Sequence, residues 1–283
     1  MQENDAICRR RVRPLTPIAT GARPDLKRLR AYSAILFDVY GTLLISGAGE
    51  AGLARLDRET SDRLVQLLRR NGVGRPLPQL LDRLDMIVRN AHRTSRKQGI
   101  AFPEVDVVQI WQELLGWQDV GRLKRFILEV EWIVNPVYPM PGTQDLLTAS
   151  RLARIPMGIV SNAQFYTVAL LEWFFQGTLE SLGFDPRLTF FSWREGHAKP
   201  SPFMFERAKA VLADRGILAD AVLYVGNDMR NDILPAASVG FNTALFAGDR
   251  RSWRPRADDD ACRRRRPDLV VTDLRQLAGL PAS

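Results

Sequence analysis

Asp38, Ser161, Asn162, Lys199, Asp228 and Asp232 are the side chains with chemistry to offer. Asp38 closes the apolar run Ala34 to Phe37 and precedes Tyr40, Gly41 and Thr42. A carboxylate at the end of a buried strand is costly unless a cation or hydrogen-bond donors meet it. An Asp entering a turn has the plainer use of bonding its own backbone. Ser161 and Asn162 follow the apolar run from Met157, and both are good N-caps for a helix starting near Ala163. Lys199 stands before Ser201 and Pro202, which read as N-cap and first residue of a helix, so its ammonium lies near the positive end of a helix dipole. An anion held between the lysine and that terminus removes the conflict. Asp232 or Asn231 reads as the cap of the helix DILPAASVG, with Pro235 in its first turn, and that cap leaves Asp228 unexplained.

Together these positions describe a site for a negatively charged substrate. Asp38, Asp228 and Asp232 repel one another unless a hard cation joins them, and carboxylates plus substrate oxygens are what Mg²⁺ accepts. A lysine and a hydroxyl neutralise and hydrogen-bond a phosphoryl group. Asp38 then reads as a nucleophile that forms an aspartyl-phosphate, later hydrolysed by water.

The elements that must bring these residues together alternate after residue 33. The short apolar segments SAILFD, PMGIVS, RLTFFS, AVLYVG, NTALFA and DLVVTD are separated by helical patterns such as PSPFMFERAKAVLADRG. Continuous apolar runs of this length suit strands buried on both faces, which predicts an α/β fold with a doubly wound parallel sheet. In such sheets ligands bind at the carboxyl ends of the strands, where these side chains fall. Between the first two strands lie SDRLVQLLRR, LPQLLDRLDMIVRNAHRTSRK, VDVVQIWQELLGW and DVGRLKRFILEVEWIVN, with apolar residues spaced by three and four. They predict a lobe of about four helices over residues 45–138, returning to the sheet through NPVYPMPG, a proline-stiffened connector. The division expected is a basic N-terminal extension over 1–32, a core over 33–44 and 139–283, and the helical lobe between.

Charge is unevenly spread over the 283 residues and formal net charge of +8. Residues 1–30 hold eight basic and three acidic side chains, and residues 250–266 hold eight Arg against three Asp. Clustered arginine is the footprint of phosphate or nucleic-acid binding. Without interleaved aromatics beyond Trp253, the plainer expectation is a solvated tail and a charged surface loop, with no nucleic-acid partner. No apolar run reaches the roughly 18 residues that span a bilayer, so no membrane association is expected and the cytoplasm is the default compartment. Cys8 and Cys262 lack metal-like spacing and read as free thiols. No pattern encodes an oligomeric state.

FDVYGTL, IVSN, Lys199 within HAKPSP and VGNDMRND occur in this order at predicted strand ends. In this the chain resembles the haloacid dehalogenase-like (HAD) hydrolase superfamily over roughly residues 33–280. The resemblance implies a Rossmann-like core with a mobile helical cap of the C1 type that sets substrate choice. It implies Asp38 as nucleophile, Ser161, Asn162 and Lys199 as ligands of the substrate's anionic group, and Mg²⁺ held by Asp38, the Tyr40 carbonyl, Asp228 and Asp232. One position departs from the phosphatase pattern. Phosphatases of the superfamily carry a second aspartate, the general acid and base, where this chain has Tyr40, and a Tyr there is similar to the metal-free 2-haloacid dehalogenases. The fourth motif resembles the phosphatases instead, and no arginine with aromatic neighbours follows the first motif to cradle a halide. The sequence therefore favours a Mg²⁺-dependent phosphatase of a small phosphorylated metabolite over a dehalogenase, with a non-catalytic binding protein third. Without that acid, turnover should be better on acyl or aryl phosphates than on alkyl phosphates, unless His197 or His92 supplies the proton.

Overall fold

The computed structural model describes residues 2–27, 31–49 and 56–278. Residues 1 and 28–30 of the expected N-terminal extension, 50–55 of the insertion and 279–283 of the core lie outside them.

All six strands expected from the sequence form one parallel sheet. They are β1 (Ala34–Phe37), β4 (Met157–Ser161), β5 (Phe184–Phe191), β6 (Val222–Gly226), β7 (Asn242–Phe246) and β8 (Leu269–Val271), in the order β5-β4-β1-β6-β7-β8. The apolar runs follow from burial on both faces. Ile35 and Phe37 of β1, with Leu223 and Val225 of β6, enter one core, whereas Ala34 and Leu36, with Val222 and Tyr224, enter the other. Successive side chains point to opposite faces, and with both faces covered the runs are apolar throughout rather than alternating. The chain reverses strand order beside β1, and Asp38 sits at that switch point.

Helices α6 (Thr143–Leu152), α7 (Tyr166–Phe175), α8 (Ser192–Glu195), α9 (Phe203–Ala213), α10 (Leu234–Ser238) and α11 (Asp260–Arg264) lie between the strands, and α12 (Arg275–Ala278) follows β8. Among its described residues the insertion holds four helices, α2 (Arg58–Arg70), α3 (Leu77–Lys97), α4 (Val107–Leu115) and α5 (Val120–Val134), packed around their own core that includes Leu67, Leu80, Ile87, Trp111, Phe126 and Ile127. Asp57, Asp106 and Asp119 cap α2, α4 and α5 by accepting from Thr60, Val108 and Arg122 amides, and α4 stops at Gly116 in the left-handed region. The helical insertion is docked on the core. Gln164, just after β4, reaches both the Val107 amide and the Val105 carbonyl, and Pro103 bridges to His197.

Three expectations change. The predicted connector after the insertion is in part a strand, β3 (Val137–Pro139), pairing antiparallel with β2 (Leu44–Ser46) to form the two-stranded stem on which the insertion stands. The N-terminal extension is not a solvated tail: α1 (Gln2–Arg11) packs on α5 and α7 through buried Ile7 and Cys8. Arg10 and Arg11 pair with Glu129, Trp173 donates to Asp5, and Asp25 bridges to Val270 at the edge of β8. Cys8 and Cys262 are free, as expected, and both are buried. Helix α9 begins one residue later than read, with Pro202 at its cap and the Ser201 hydroxyl accepting from the Phe203 amide at 3.3 Å. Among the described residues no helix is long and apolar enough to cross a membrane.

Candidate active site

At the carboxyl end of the sheet lies a cavity of about 150 Å³. Asp38, Tyr40, Asn162, Lys199, Asp228 and Asp232 line it, so six of the seven residues singled out from the sequence meet in one place. Ser161 is fully buried beneath them and donates to Asp38 Oδ1 at 2.8 Å. Neither Ser161 nor Asn162 serves as a cap, because α7 starts only at Tyr166. Asn162 grips the backbone of Lys199 instead: its Oδ1 accepts from the Lys199 amide at 2.7 Å and its Nδ2 donates to the Lys199 carbonyl at 3.1 Å.

The anion expected at Lys199 is supplied by the protein. Lys199 Nζ donates to Asp38 Oδ1 at 2.7 Å and to Asp232 Oδ1 at 2.5 Å, with the Tyr224 hydroxyl and the Val160 carbonyl also in reach. Burial alone pulls the lysine's pKa down, but the adjacent Asp232 and Asp38 charges outweigh it and hold it above the ordinary value. Burial pushes Asp232 up to about 6, reinforced by Asp38 and Asp228 and opposed by Lys199.

Asp232 is not a helix cap. Its Oδ1 also accepts from the Tyr224 hydroxyl at 2.9 Å, and its Oδ2 accepts from the Asp228 amide at 2.9 Å. The capping carboxylate is Asp228, whose Oδ1 accepts from the Arg230 and Asn231 amides. Gly226 is required beside it, since a Cβ there would stand 2.4 Å from Asp232 Cγ.

The arginine-rich loop is not a solvated surface loop where it passes the site. Its segment 249–256 runs beside the turn after β6, with the Arg254 amide donating to the Asn227 carbonyl and the Met229 amide to the Arg254 carbonyl. Arg256 grips Asp228, Nη2 to Oδ2 at 2.7 Å and Nε to Oδ1 at 3.2 Å. Ser252 and Arg254 line the cavity, together with Ser46, Gly49, Asn227 and Asn231. Sequence reasoning missed these six as site residues. Asn227 and Asn231 lie inside the fourth motif, and Ser252 and Arg254 inside the charged loop, so the signal was present in both stretches.

These partners bear on Mg²⁺. A hard cation needs carboxylate oxygens directed at one point. Both oxygens of Asp228 are engaged by Arg256, Asn231 and backbone amides, both of Asp232 by Lys199, Tyr224 and a backbone amide, and Oδ1 of Asp38 by Ser161 and Lys199. Two organic cations thus already face the three carboxylates. Among the described residues no group of three or more acidic, His or Cys side chains is arranged to hold a metal. The donor set expected from Asp38, Tyr40, Asp228 and Asp232 does not fit the ion.

Tyr40 does not replace the absent acid, because its hydroxyl pairs with Thr167 Oγ1 at 2.8 Å and burial pushes its pKa upward. Neither histidine lines the cavity; His197 stacks on Phe203 at 3.9 Å.

The family pattern of haloacid dehalogenase-like hydrolases matches residues 32–240, and the chain belongs to that family. Among solved structures it is similar to a 2-haloacid dehalogenase from Pseudomonas syringae pv. Tomato (19% identity, TM-score 0.55, covering 87% of this chain and 96% of that one). The L-2-haloacid dehalogenase RSc1362 (20%, TM-score 0.50, 88% and 98%) is also similar. So is CbbY from Rhodobacter sphaeroides, solved with xylulose-(1,5)bisphosphate (18%, TM-score 0.50, 88% and 99%). At these identities the likeness is one of fold. A sequence comparison with curated proteins gives no match.

Proposed function

We propose that this hydrolase works without a divalent ion, in the manner of a 2-haloacid dehalogenase, on a small carboxylate-bearing substrate. The observation that carries the reading is the pairing of Asp228 with Arg256, which commits a metal-type carboxylate to a guanidinium. This reverses the order of preference drawn from the sequence, where the same carboxylate argued for Mg²⁺.

Asp38 is the nucleophile. Ser161 and Lys199 both bind its Oδ1, and among the described residues no donor reaches Oδ2, the oxygen proposed to attack. As the C–O bond forms, the carbon–halogen bond breaks and the halide leaves with the bonding pair. Water then hydrolyses the Asp38 ester, giving back the carboxylate and releasing the hydroxy acid and a proton. Lys199 stabilises the ionised Asp38 at both ends of the cycle. A halide needs no proton on departure, which suits a site whose Tyr40 hydroxyl is turned to Thr167. The helical insertion, standing on the β2–β3 stem and docked through Gln164, would act as the cap over this site.

One observation favours phosphoryl transfer as a second reading: among the residues lining the cavity are Asn162, Asn227, Asn231, Ser46 and Ser252, polar side chains of the kind that surround phosphate oxygens. A paired assay separates the two. Halide release from 2-chloropropionate and phosphate release from acetyl phosphate are followed with EDTA and with Mg²⁺, for the wild type and Asp38→Asn. Halide release indifferent to EDTA and lost in Asp38→Asn supports the first reading; phosphate release that requires Mg²⁺ overturns it.

A further inference from the structure

We propose that Ser252 and Arg254, on the loop between β7 and α11, form a subsite that binds an oxyanion of the substrate within the cavity at Asp38. The proposal deepens the reading above by assigning the residues that recognise the non-reacting end of the substrate, and it rests on that reading for the identity of the site.

The Ser252 hydroxyl is the first observation. Ser252 is 5% exposed and lines the cavity, yet its Oγ is buried with no hydrogen-bond partner among the described residues. The residue itself is fixed: its amide donates to the Asp249 carbonyl and its carbonyl accepts from Asn227 Nδ2 at 2.6 Å. On its other side lies Gly41, at φ +82°, where a Cβ would come within 2.9 Å of Ser252 Oγ and 2.4 Å of its Cβ. Close packing against Gly41 of the first motif thus fixes Ser252 on the cavity wall, with its hydroxyl buried and without a partner among the described residues. A buried hydroxyl without a partner is costly, and native structures rarely leave one so. An atom of a bound ligand is the partner this geometry calls for.

The surroundings decide that atom's chemistry. Arg254 stands two residues on along the same wall, its guanidinium steadied by the Arg251 and Trp253 carbonyls, and Gly49 approaches its Nη2. The loop is anchored from below by Asp249, 1% exposed and paired with Arg251, and from the side by the backbone bonds to Asn227 and Met229. A hydroxyl and a guanidinium held rigidly on one wall recognise an acceptor carrying negative charge. In a cavity of about 150 Å³ that acceptor lies within a few bonds of the carbon or phosphorus attacked by Asp38, so the substrate class is a short acid. Two kinds of group share this chemistry, a carboxylate and a phosphate.

The test measures binding and turnover separately on the full-length chain. Propionate and orthophosphate are titrated calorimetrically into the wild type, Ser252→Ala, Arg254→Gln and Arg254→Lys, and the melting temperature of each variant is recorded. The expected result is that one of the two anions binds the wild type, and which one binds tells carboxylate from phosphate. Ser252→Ala and Arg254→Gln each weaken it by about tenfold, the range of a hydrogen bond to a charged group, with Arg254→Lys in between. Ser252→Ala should melt no lower than the wild type, because it removes a hydroxyl that has no partner in the folded chain. In turnover, KM rises more than kcat falls. The proposal is overturned if neither anion binds, or if Ser252→Ala binds as tightly as the wild type. Failure of the functional reading looks different: anion binding that depends on Ser252 and Arg254, with no halide or phosphate released.

Discussion

Arg256 and Asp228 form a two-point ion pair across the mouth of the sheet, with the guanidinium taken from the arginine-rich loop and the carboxylate from the turn after β6. The pair is partly buried, with side chains 25% and 9% exposed, so its loss is felt twice. Arg256→Ala should lower stability by roughly 1–3 kcal/mol, less than the full cost of breaking a wholly buried pair. It also releases a carboxylate beside Asp38. The variant should bind Mn²⁺ or Mg²⁺ measurably by calorimetry where the wild type does not, and equal, tight metal binding by both would refute the assignment of Arg256.

Lys199 stands between two carboxylates with its side chain 3% exposed. Lys199→Met keeps most of the volume but leaves Asp38 and Asp232 buried and facing each other without a cation. Breaking such a network from one side costs about 3–5 kcal/mol. A urea midpoint falling by that equivalent is the expected result, together with turnover reduced by at least ~10² through loss of charge stabilisation at Asp38. Unchanged stability would mean that the two acids are not held as the geometry has them.

Tyr40 occupies the place where an acid would assist a leaving group, and its hydroxyl meets Thr167 at 2.8 Å. Tyr40→Phe therefore removes one hydrogen bond and no catalytic proton. Stability should drop by about 1 kcal/mol, and kcat should change less than about threefold. A fall of 10² or more is what loss of a general acid produces, and it would assign Tyr40 a catalytic proton after all.

What sequence reasoning reaches here is set by distance along the chain. The β1 run Ala34 to Phe37 and the β6 run Val222 to Gly226 are legible because burial on both faces leaves a local signature, and Asp38 and Asp228 are conspicuous because each interrupts one. The helices of the insertion are legible from their apolar spacing and the breaks between them. The partners of those acids are not. Arg256 lies 28 residues beyond Asp228 with β7 between them, and Lys199 lies 161 residues beyond Asp38. Long-range pairing of this kind has no period to read, so a cluster of carboxylates without visible cations looked like a metal site. Ser252 was hidden differently, as a small residue in a loop whose charge suggested solvent. The β2–β3 stem escaped because three-residue strands, one ending at Pro139, carry no alternation to detect.

The proton on Asp232 gives the acid side of the pH profile. Its pKa in the folded chain is pushed up to about 6 from an ordinary 3.8, first by burial and then by the nearby Asp38 and Asp228 charges. Because the folded state holds this proton more tightly than the unfolded chain, the contribution of Asp232 to stability is fully present below pH 4 and is lost as pH rises through about 6. Activity runs the other way, since a protonated Asp232 no longer helps to orient the ammonium of Lys199 on Asp38. Turnover should therefore decline on acidification with a midpoint near pH 6, and Asp232→Asn should flatten that limb while lowering the plateau. On the alkaline side Lys199 is held above its ordinary 10.5, so no decline from this group is expected between pH 7 and about 10. A pH–kcat profile of both proteins checks the pair of limits, and an acid limb that survives unchanged in Asp232→Asn would assign the titration to another group.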